Sequence, residues 1–233
     1  MGKNLIQQRR GRGSPTYRSA SHNFAGEAKH YAGTGAGIVT DILHCAGHTA
    51  PLLEISYGTE QHNLTIAPEG VKIGDIIGVG EGEPLPGSVL PLRQIPEGTL
   101  IHNVELKPGD GGKLCRSSGT FARIIAKTDA EVRILLPSKK EKLFLPECRA
   151  AIGLVAGGGR TEKPFLKAGT RYKKMRARNK LYPHVCGISM NAVDHPFGGK
   201  CSHIKGRPTQ SSRNAPPGRK VGKIAPRRTG RKR

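Results

Sequence analysis

From residue 36 onward, apolar and polar positions alternate over short runs, with no helical period between them. Gly37–Leu43 (GIVTDIL), Leu52–Tyr57 (LLEISY) and His62–Ala67 (HNLTIA) each read as a half-buried strand. Val71–Val79 (VKIGDIIGV) predicts a fourth, kinked at Gly74-Asp75. Turn signals at Ala46-Gly47, Tyr57-Gly58 and Pro68-Glu69-Gly70 separate these runs. Short, regularly spaced strands indicate a small closed barrel or sandwich, and about 45 residues with four to five strands suit an OB-type barrel.

A Pro/Gly-rich seam, Glu81–Gly87 (EGEPLPG), sets a domain boundary. Beyond it come Val89–Leu92 and Pro96–Leu106, then an expected exposed loop, Lys107–Lys113 (KPGDGGK). Thr120–Ala126, Ala130–Leu136, Glu141–Leu145 and Ala150–Val155 follow as four strands with short links, a pattern whose size and turns predict an SH3-like barrel. Gly157-Gly158-Gly159 ends the globular part. From Leu166 on, Leu, Ile, Val and Phe supply nine of 68 residues, too few for a core. Tyr172, Met175 and Tyr182 fall near helical spacing and predict one short basic helix within 167–182, whereas Pro and Gly punctuate 213–233. The expected fold is therefore mainly β: an OB-fold barrel over 36–83 and an SH3-like barrel over 84–160. Long irregular basic extensions, 1–35 and 161–233, flank them.

Charge changes the picture from a pair of barrels to a binding protein. The chain has 233 residues, a net charge of +22 and only 4% aromatic residues. Residues 1–31 hold six Lys/Arg and one Glu, 32–162 hold thirteen Lys/Arg and fifteen Asp/Glu, and 163–233 hold twenty Lys/Arg and one Asp. A nearly neutral middle between two cationic ends points to a polyanionic partner, by default nucleic acid. In the N-terminal arm, Arg9, Arg10, Arg12 and Arg18 stand near Tyr17 and Phe24. Either the arm is a disordered terminus, or it orders on RNA, with arginines on phosphates and a ring on a base. The charge asymmetry favours the second. The tail is open to the same two readings. Its Gly, Pro, His and aromatic residues, interleaved with Arg171, Lys173, Lys174, Arg176, Arg213, Arg219, Lys220, Arg227 and Arg228, favour an arm that tracks RNA grooves.

The five cysteines, at 45, 115, 148, 186 and 201, are odd in number and form no CxxC, which argues against a disulfide framework and for a reducing compartment. Cys45, Cys115 and Cys148 fall in barrel segments and read as small buried side chains. No apolar h-region opens the sequence and no apolar run reaches the roughly 18–20 residues of a membrane span. The expectation is a soluble intracellular protein that engages no membrane.

Nucleotide and acyl-transfer motifs fail on inspection. Gly153–Gly158 has P-loop spacing, but Gly159 stands where Lys is needed, and Gly187-Ile188-Ser189-Met190-Asn191 lacks the second Gly of a nucleophile elbow. Arg116-Ser117-Ser118-Gly119 reads as a small-residue turn that lets backbone approach phosphate. Asp194, the only acid after position 162, precedes His195, which could serve as an acid or base near neutral pH. With no nucleophile or second base specified around it, contact with a nucleotide is the better reading. His184, Cys186, Cys201 and His203 compose an accepted zinc donor set at spacings unlike the familiar fingers. No metal or other cofactor is expected.

Five segments carry a resemblance over nearly the whole chain: Leu92–Val104 (LRQIPEGTLIHNV), Lys107–Thr120 (KPGDGGKLCRSSGT), Ala150–Arg160, Met190–Gly199 (MNAVDHPFGG) and Ala215–Gly222 (APPGRKVG). The chain resembles the universal large-subunit ribosomal protein L-two family in its archaeal/eukaryotic form. The resemblance implies an OB-fold followed by a translation-protein SH3-like domain, with both extensions buried in large-subunit rRNA. It implies a primary rRNA binder in the cytoplasmic ribosome that contacts other large-subunit proteins. It further implies support of subunit association at a bridge to the small subunit, and of tRNA placement. Lys113, Arg116, Arg160, Asn191, Asp194, His195, Gly198 and Gly199 fall in its RNA-contacting segments. The Met190–Gly199 loop would approach the peptidyl-transferase centre, and His195 falls on a histidine once proposed to take part in peptide-bond formation. The reaction would remain the rRNA's, and the protein no enzyme. Cys186, where Arg is usual, and Lys200-Cys201 depart from the family pattern. A catalytic role for Asp194 and His195 is one competing reading, and a translation-factor-like module is another. The latter calls for a basic barrel face, whereas this charge lies in the extensions.

Overall fold

The computed structural model describes residues 4–58, 61–199 and 209–227. The chain forms two compact units, one of residues 20–170 and one that combines 1–19 with 171–233.

In the first unit the alternating segments become strands wherever one face can be buried. Its ten strands are β1 (Gly35–Leu43), β2 (Leu52–Tyr57), β3 (Gln61–Ile66), β4 (Ile76–Val79), β5 (Val89–Pro91), β6 (Leu100–His102), β7 (Ala122–Lys127), β8 (Val132–Leu135), β9 (Glu141–Phe144) and β10 (Arg149–Ile152). They join in one sheet in the order β3-β2-β1-β4-β5-β10-β6-β7-β8-β9. Every pairing is antiparallel except the contact of β4 with β5 at Val79 and Val89. The fold is mainly β. Bulges at Val39/Asp41 and Ile124/Ala126 bend β1 and β7.

Two sets of buried side chains flank the Pro/Gly-rich seam. Leu90, Leu92, Ile95, Ile101, Ile124, Ile134 and Phe144 fill one side. On the other, Leu52 and Ile66 pack with Ala28 and Cys45, and Leu53, Ile55 and Ile77 pack with Val39. Val79, Val89 and Ala151 join them beneath Tyr31 and Tyr57. Those two rings stack 4.0 Å apart and 8° from parallel. After β10 the chain crosses back: Glu69 N donates to Leu154 O and Ala156 N to Ala67 O, which drops Val155 into the cluster of Leu52 and Ile66.

Three expectations need correction. The strand expected over 71–79 begins only at Ile76. Ahead of it, Lys72 N donates to the Asp75 carboxylate and Gly74 takes φ +92°, so the kink is a full turn. The loop expected to lie exposed over 107–113 folds inward at Gly111 and Gly112, because two carboxylates collect its amides. The N-terminal arm, which shows no period, contains a helix, α1 (Ile6–Gly11), with Gln8 Oε1 accepting from Leu5 N. Its residues 20–34 pack on the sheet unit, with Ala28 fully buried.

In the second unit, α2 (Ala168–Ala177) provides the expected basic helix, begun at the end of the first unit, and buries no residue. Two-residue strands β11 (Gln210–Ser211) and β12 (Lys223–Ile224) pair in parallel, and no helix forms over 209–227. Ser211 Oγ ties them by donating to Val221 O at 2.5 Å. No helix among the described residues is long and apolar enough to cross a membrane.

Two buried histidines give the sheet unit a pH dependence. His30 Nε2 bonds Asn103 O at 2.6 Å and His102 Nδ1 bonds Gly153 O at 3.0 Å. Burial pushes both down to about 4, against the pull of those carbonyls. The unfolded chain therefore takes up protons before the fold does, and stability is lost as pH falls from about 6.5 toward 4, by roughly 3 kcal/mol per histidine in all. Urea unfolding followed by circular dichroism should show a clearly lower midpoint at pH 5 than at pH 7, a range in which unfolded carboxylates stay ionised. Equal midpoints would contradict it.

Candidate nucleic-acid interface

The second unit concentrates cations on short, exposed elements. Arg9 and Arg10 occupy the last turn of α1, where they complement the helix dipole, and Arg12 caps it. Arg18 lies beside Gly13, where an added methyl would sit 3.8 Å from the guanidinium. Arg171, Lys173, Lys174 and Arg176 line α2, whose first turn holds no acid. The Arg171 guanidinium stands 5.1 Å over the Tyr182 ring, which fixes its direction. A ten-residue helix that buries nothing is marginal in water. An anionic partner would supply what its own packing does not.

Arg213, Arg219 and Lys220 sit exposed around the Pro216-Pro217-Gly218 turn, which is closed by Arg219 N donating to Pro216 O. Gly218 packs on Leu5, so the two chain ends meet there. Arg227 is exposed at the limit of the described residues, and Arg228 lies outside them.

The Cys186–Gly199 loop is a run of tight turns. Gly187–Ser189 forms one 3-10 turn. Asp194 N and His195 N both donate to Asn191 O, at 2.9 and 3.2 Å, Gly198 N donates to His195 O at 2.8 Å, and Gly199 N closes back on Met190 O at 3.0 Å. Gly198 is required here: a methyl group would overlap the Asn191 carbonyl. Gly187 leaves the space the His195 ring occupies, so a methyl group there would displace the ring. That ring accepts the Phe197 amide at Nδ1, 3.0 Å away, and meets the Phe197 ring edge-on at 5.2 Å. An Nδ1 that accepts a proton puts the neutral ring's own proton on Nε2 and makes that edge a donor. Asn191, Asp194 and Gly199 are exposed, and Val193 is 76% exposed.

The zinc donor set is only half visible: His184 and Cys186 are exposed, and Cys201 and His203 fall outside the described residues. Among the described residues no three His, Cys, Asp or Glu side chains are placed to hold a metal. Cys45 and Cys148 are buried. Cys115 is half-buried, and burial raises its thiol to about 11, so it stays protonated.

In the sheet unit, Lys113 is exposed, but Arg116 is half-buried and spoken for. Its guanidinium donates to Ala28 O at 2.6 Å and to Gly112 O at 2.9 Å, clamping the 20–34 segment to the loop. Arg160 Nε donates to Ser118 Oγ at 3.0 Å, and Gly119 packs backbone to backbone on Gly158. The small-residue turn at 116–119 thus approaches its own chain. Phe24, Glu27, Gly47, His48 and Arg116 line an open groove of about 550 Å³. It pairs a ring with a guanidinium, surfaces on which an unstacked base can lie.

Sequence reasoning missed Glu105. It is fully buried, and its carboxylate accepts from the amides of Gly109, Gly111 and Arg149 at 3.1, 3.1 and 2.9 Å and from the Arg149 guanidinium at 3.2 Å. Arg149 also reaches Tyr31 O at 2.8 Å. Asp110 takes the amides of Leu106 and Gly112, each at 3.0 Å. One buried carboxylate thereby fixes the loop, β10 and the incoming N-terminal segment. The signal was present in Leu100–Leu106, where His, Asn and Glu interrupt an apolar run.

Residues 85–219 match the family model described as Ribosomal Proteins L2, C-terminal domain. The chain is 52% identical, over the full length of both chains, to the large ribosomal subunit protein uL2 of Methanothermobacter thermautotrophicus. It is 50% identical to that of Methanosphaera stadtmanae, again over both full lengths. To that of Halorubrum lacusprofundi it is 50% identical over 99% of this chain and 98% of the relative.

Proposed function

Because the chain belongs to the L2 family of large-subunit ribosomal proteins, we propose that its two cationic ends anchor it by threading into large-subunit rRNA while the sheet unit serves as a scaffold. The protein is a structural constituent of the large ribosomal subunit. It works in translation on the cytoplasmic ribosome, bound to rRNA and beside other ribosomal proteins. The observation that carries the anchoring reading is the separation of charge: twenty of 39 Lys/Arg lie in the last 71 residues with one acid. They stand there on a helix and turns that bury almost nothing.

In this reading 36–83 is an OB-fold barrel and 84–160 an SH3-like barrel, supported by the four and six short strands on either side of the seam. The segments 1–35 and 161–233 are the RNA-embedded extensions. Arg9, Arg10, Arg12, Arg18, the α2 cations and Arg213, Arg219, Lys220, Arg227 and Arg228 contact phosphate. Lys113 and Arg160 add the sheet unit's contacts, and Arg116 acts from behind by holding its loop. Asn191, Asp194, His195, Gly198 and Gly199 form a rigid loop beside the peptidyl-transferase centre, where the Nε2 edge of His195 donates to RNA. The protein is not a catalyst in this reading. Subunit association at a bridge to the small subunit, and tRNA placement, follow from the position of that loop and of the scaffold.

Binding of the full chain to large-subunit rRNA across a salt series tests the anchoring. Each phosphate engaged in single-stranded regions contributes a slope of about −0.7, so six contacts give about −4. A slope shallower than about −1 contradicts phosphate tracking. In the same subunits His195→Gln should leave peptidyl transfer intact, and its abolition with normal assembly would support the catalytic reading instead.

A further inference from the structure

The sheet unit carries a face whose chemistry is the opposite of the tail's. Residues 36–83 hold seven acidic side chains and a single lysine, Lys72, within a chain of net charge +22. On the solvent side of β1 and β4, Ile38 and Ile76 are directly opposed. They are 53% and 67% exposed, and Ile73 in the preceding turn is 58% exposed. A sheet with one wet face normally places polar side chains there, and cross-strand partners on one face lie in contact. The two isoleucines are therefore one apolar patch, unlike the scattered single apolar residues that any surface shows.

Acids frame this patch. Ser56 is the cross-strand partner of Ile38, and Glu54, two residues away along β2, lies on that same side of the sheet, where the Thr40 hydroxyl donates to Glu54 O at 3.1 Å and stands 3.5 Å from its carboxylate. Asp75 adjoins Ile76 in sequence and shapes the turn that presents Ile73. RNA phosphate brought against Glu54 and Asp75 would be repelled, and unpaired isoleucines offer phosphate nothing. A basic polypeptide meets both demands: an apolar side chain covers the isoleucines, and Lys or Arg at the rim faces the carboxylates.

We propose that this face docks a basic segment of another protein of the large subunit, anchored by an aliphatic or aromatic side chain between Ile38 and Ile76 and flanked by Lys or Arg opposite Glu54 and Asp75. The docking is independent of the RNA contacts assigned to the extensions.

The test places p-benzoylphenylalanine at position 76 of the full-length protein, assembles it into large subunits, irradiates them and identifies the adduct by mass spectrometry. The expected adduct is a Lys/Arg-rich protein segment. Adducts to rRNA alone, to an acidic segment, or none at all would overturn the proposal. In parallel, Ile76→Lys and Glu54→Lys should lower the occupancy of the crosslinked protein in purified subunits about tenfold or more, the scale of losing a central anchor. Both positions are outside the core, so incorporation of the variants into subunits should be unchanged. Unchanged partner occupancy, or loss of rRNA incorporation by Ile76→Lys, would overturn it.

Discussion

Glu105→Gln is expected to destabilise the sheet unit by about 3–5 kcal/mol, the cost of breaking a buried ion pair from one side. The carboxylate is inaccessible and meets four donors: three amides and the Arg149 guanidinium. Glutamine keeps the shape but replaces one accepting oxygen with a donating NH2 group, which then faces N–H groups it cannot satisfy. It also leaves Arg149, whose side chain is 15% exposed, without its counter-charge. The loss is a large share of the roughly 5–15 kcal/mol that a typical domain has in total. The damage should spread along the ties the carboxylate makes: the 107–112 loop loosens, and Arg149 loses its hold on Tyr31 O. Urea unfolding measures the loss, and amide exchange at Gly109, Gly111 and Arg149 locates it. A cost below about 1 kcal/mol, within the range of an ordinary surface substitution, would show that the network is not what holds this region.

Glu105 also shows where sequence reading stops. Short apolar runs bounded by turn residues located β2 to the residue and β1, β3 and β9 to within two, although only β1 shows a run of alternating burial and Leu52 and Leu53 of β2 are both fully buried. Alternation says nothing about a polar residue on the inward side. His102, Asn103 and Glu105 are all buried, and their partners lie at Gly153, His30, Gly111 and Arg149, contacts no local pattern encodes. The N-terminal segment is unreadable for a related reason. Ala28 and His30 sit in the core of a unit whose strands begin at Gly35, held by single long-range bonds such as Lys29 N to Leu64 O. Arg116 illustrates the same gap at the interface. As a residue type it belongs with the RNA-binding arginines, yet its guanidinium is folded onto two carbonyls of its own chain. The loop at 190–199 was legible because Asp194, His195 and the Gly pair mark it in sequence. The bond from Phe197 N to His195 Nδ1, which sets the ring's donor edge, follows from the turn geometry and has no mark in the sequence.

The second large effect concerns the tail itself. Deleting 163–233 removes twenty of 39 Lys/Arg but no buried residue of either core cluster beside the seam. Residues 163–170 are exposed throughout, so the cut falls outside the packed sheet. The shortened chain should therefore retain its strand signal and its cooperative unfolding, while its rRNA affinity at physiological salt falls by several powers of ten as the phosphate contacts are lost. Folding and binding should separate cleanly, because the residues that build the core and those that carry the charge occupy different parts of the chain.

Retention in salt-washed large subunits measures that separation of folding from binding. Chain lacking 163–233 should fold by circular dichroism yet be absent from large subunits washed at high salt, whereas the full chain remains bound. Retention of the truncated chain at full-length levels would contradict the account.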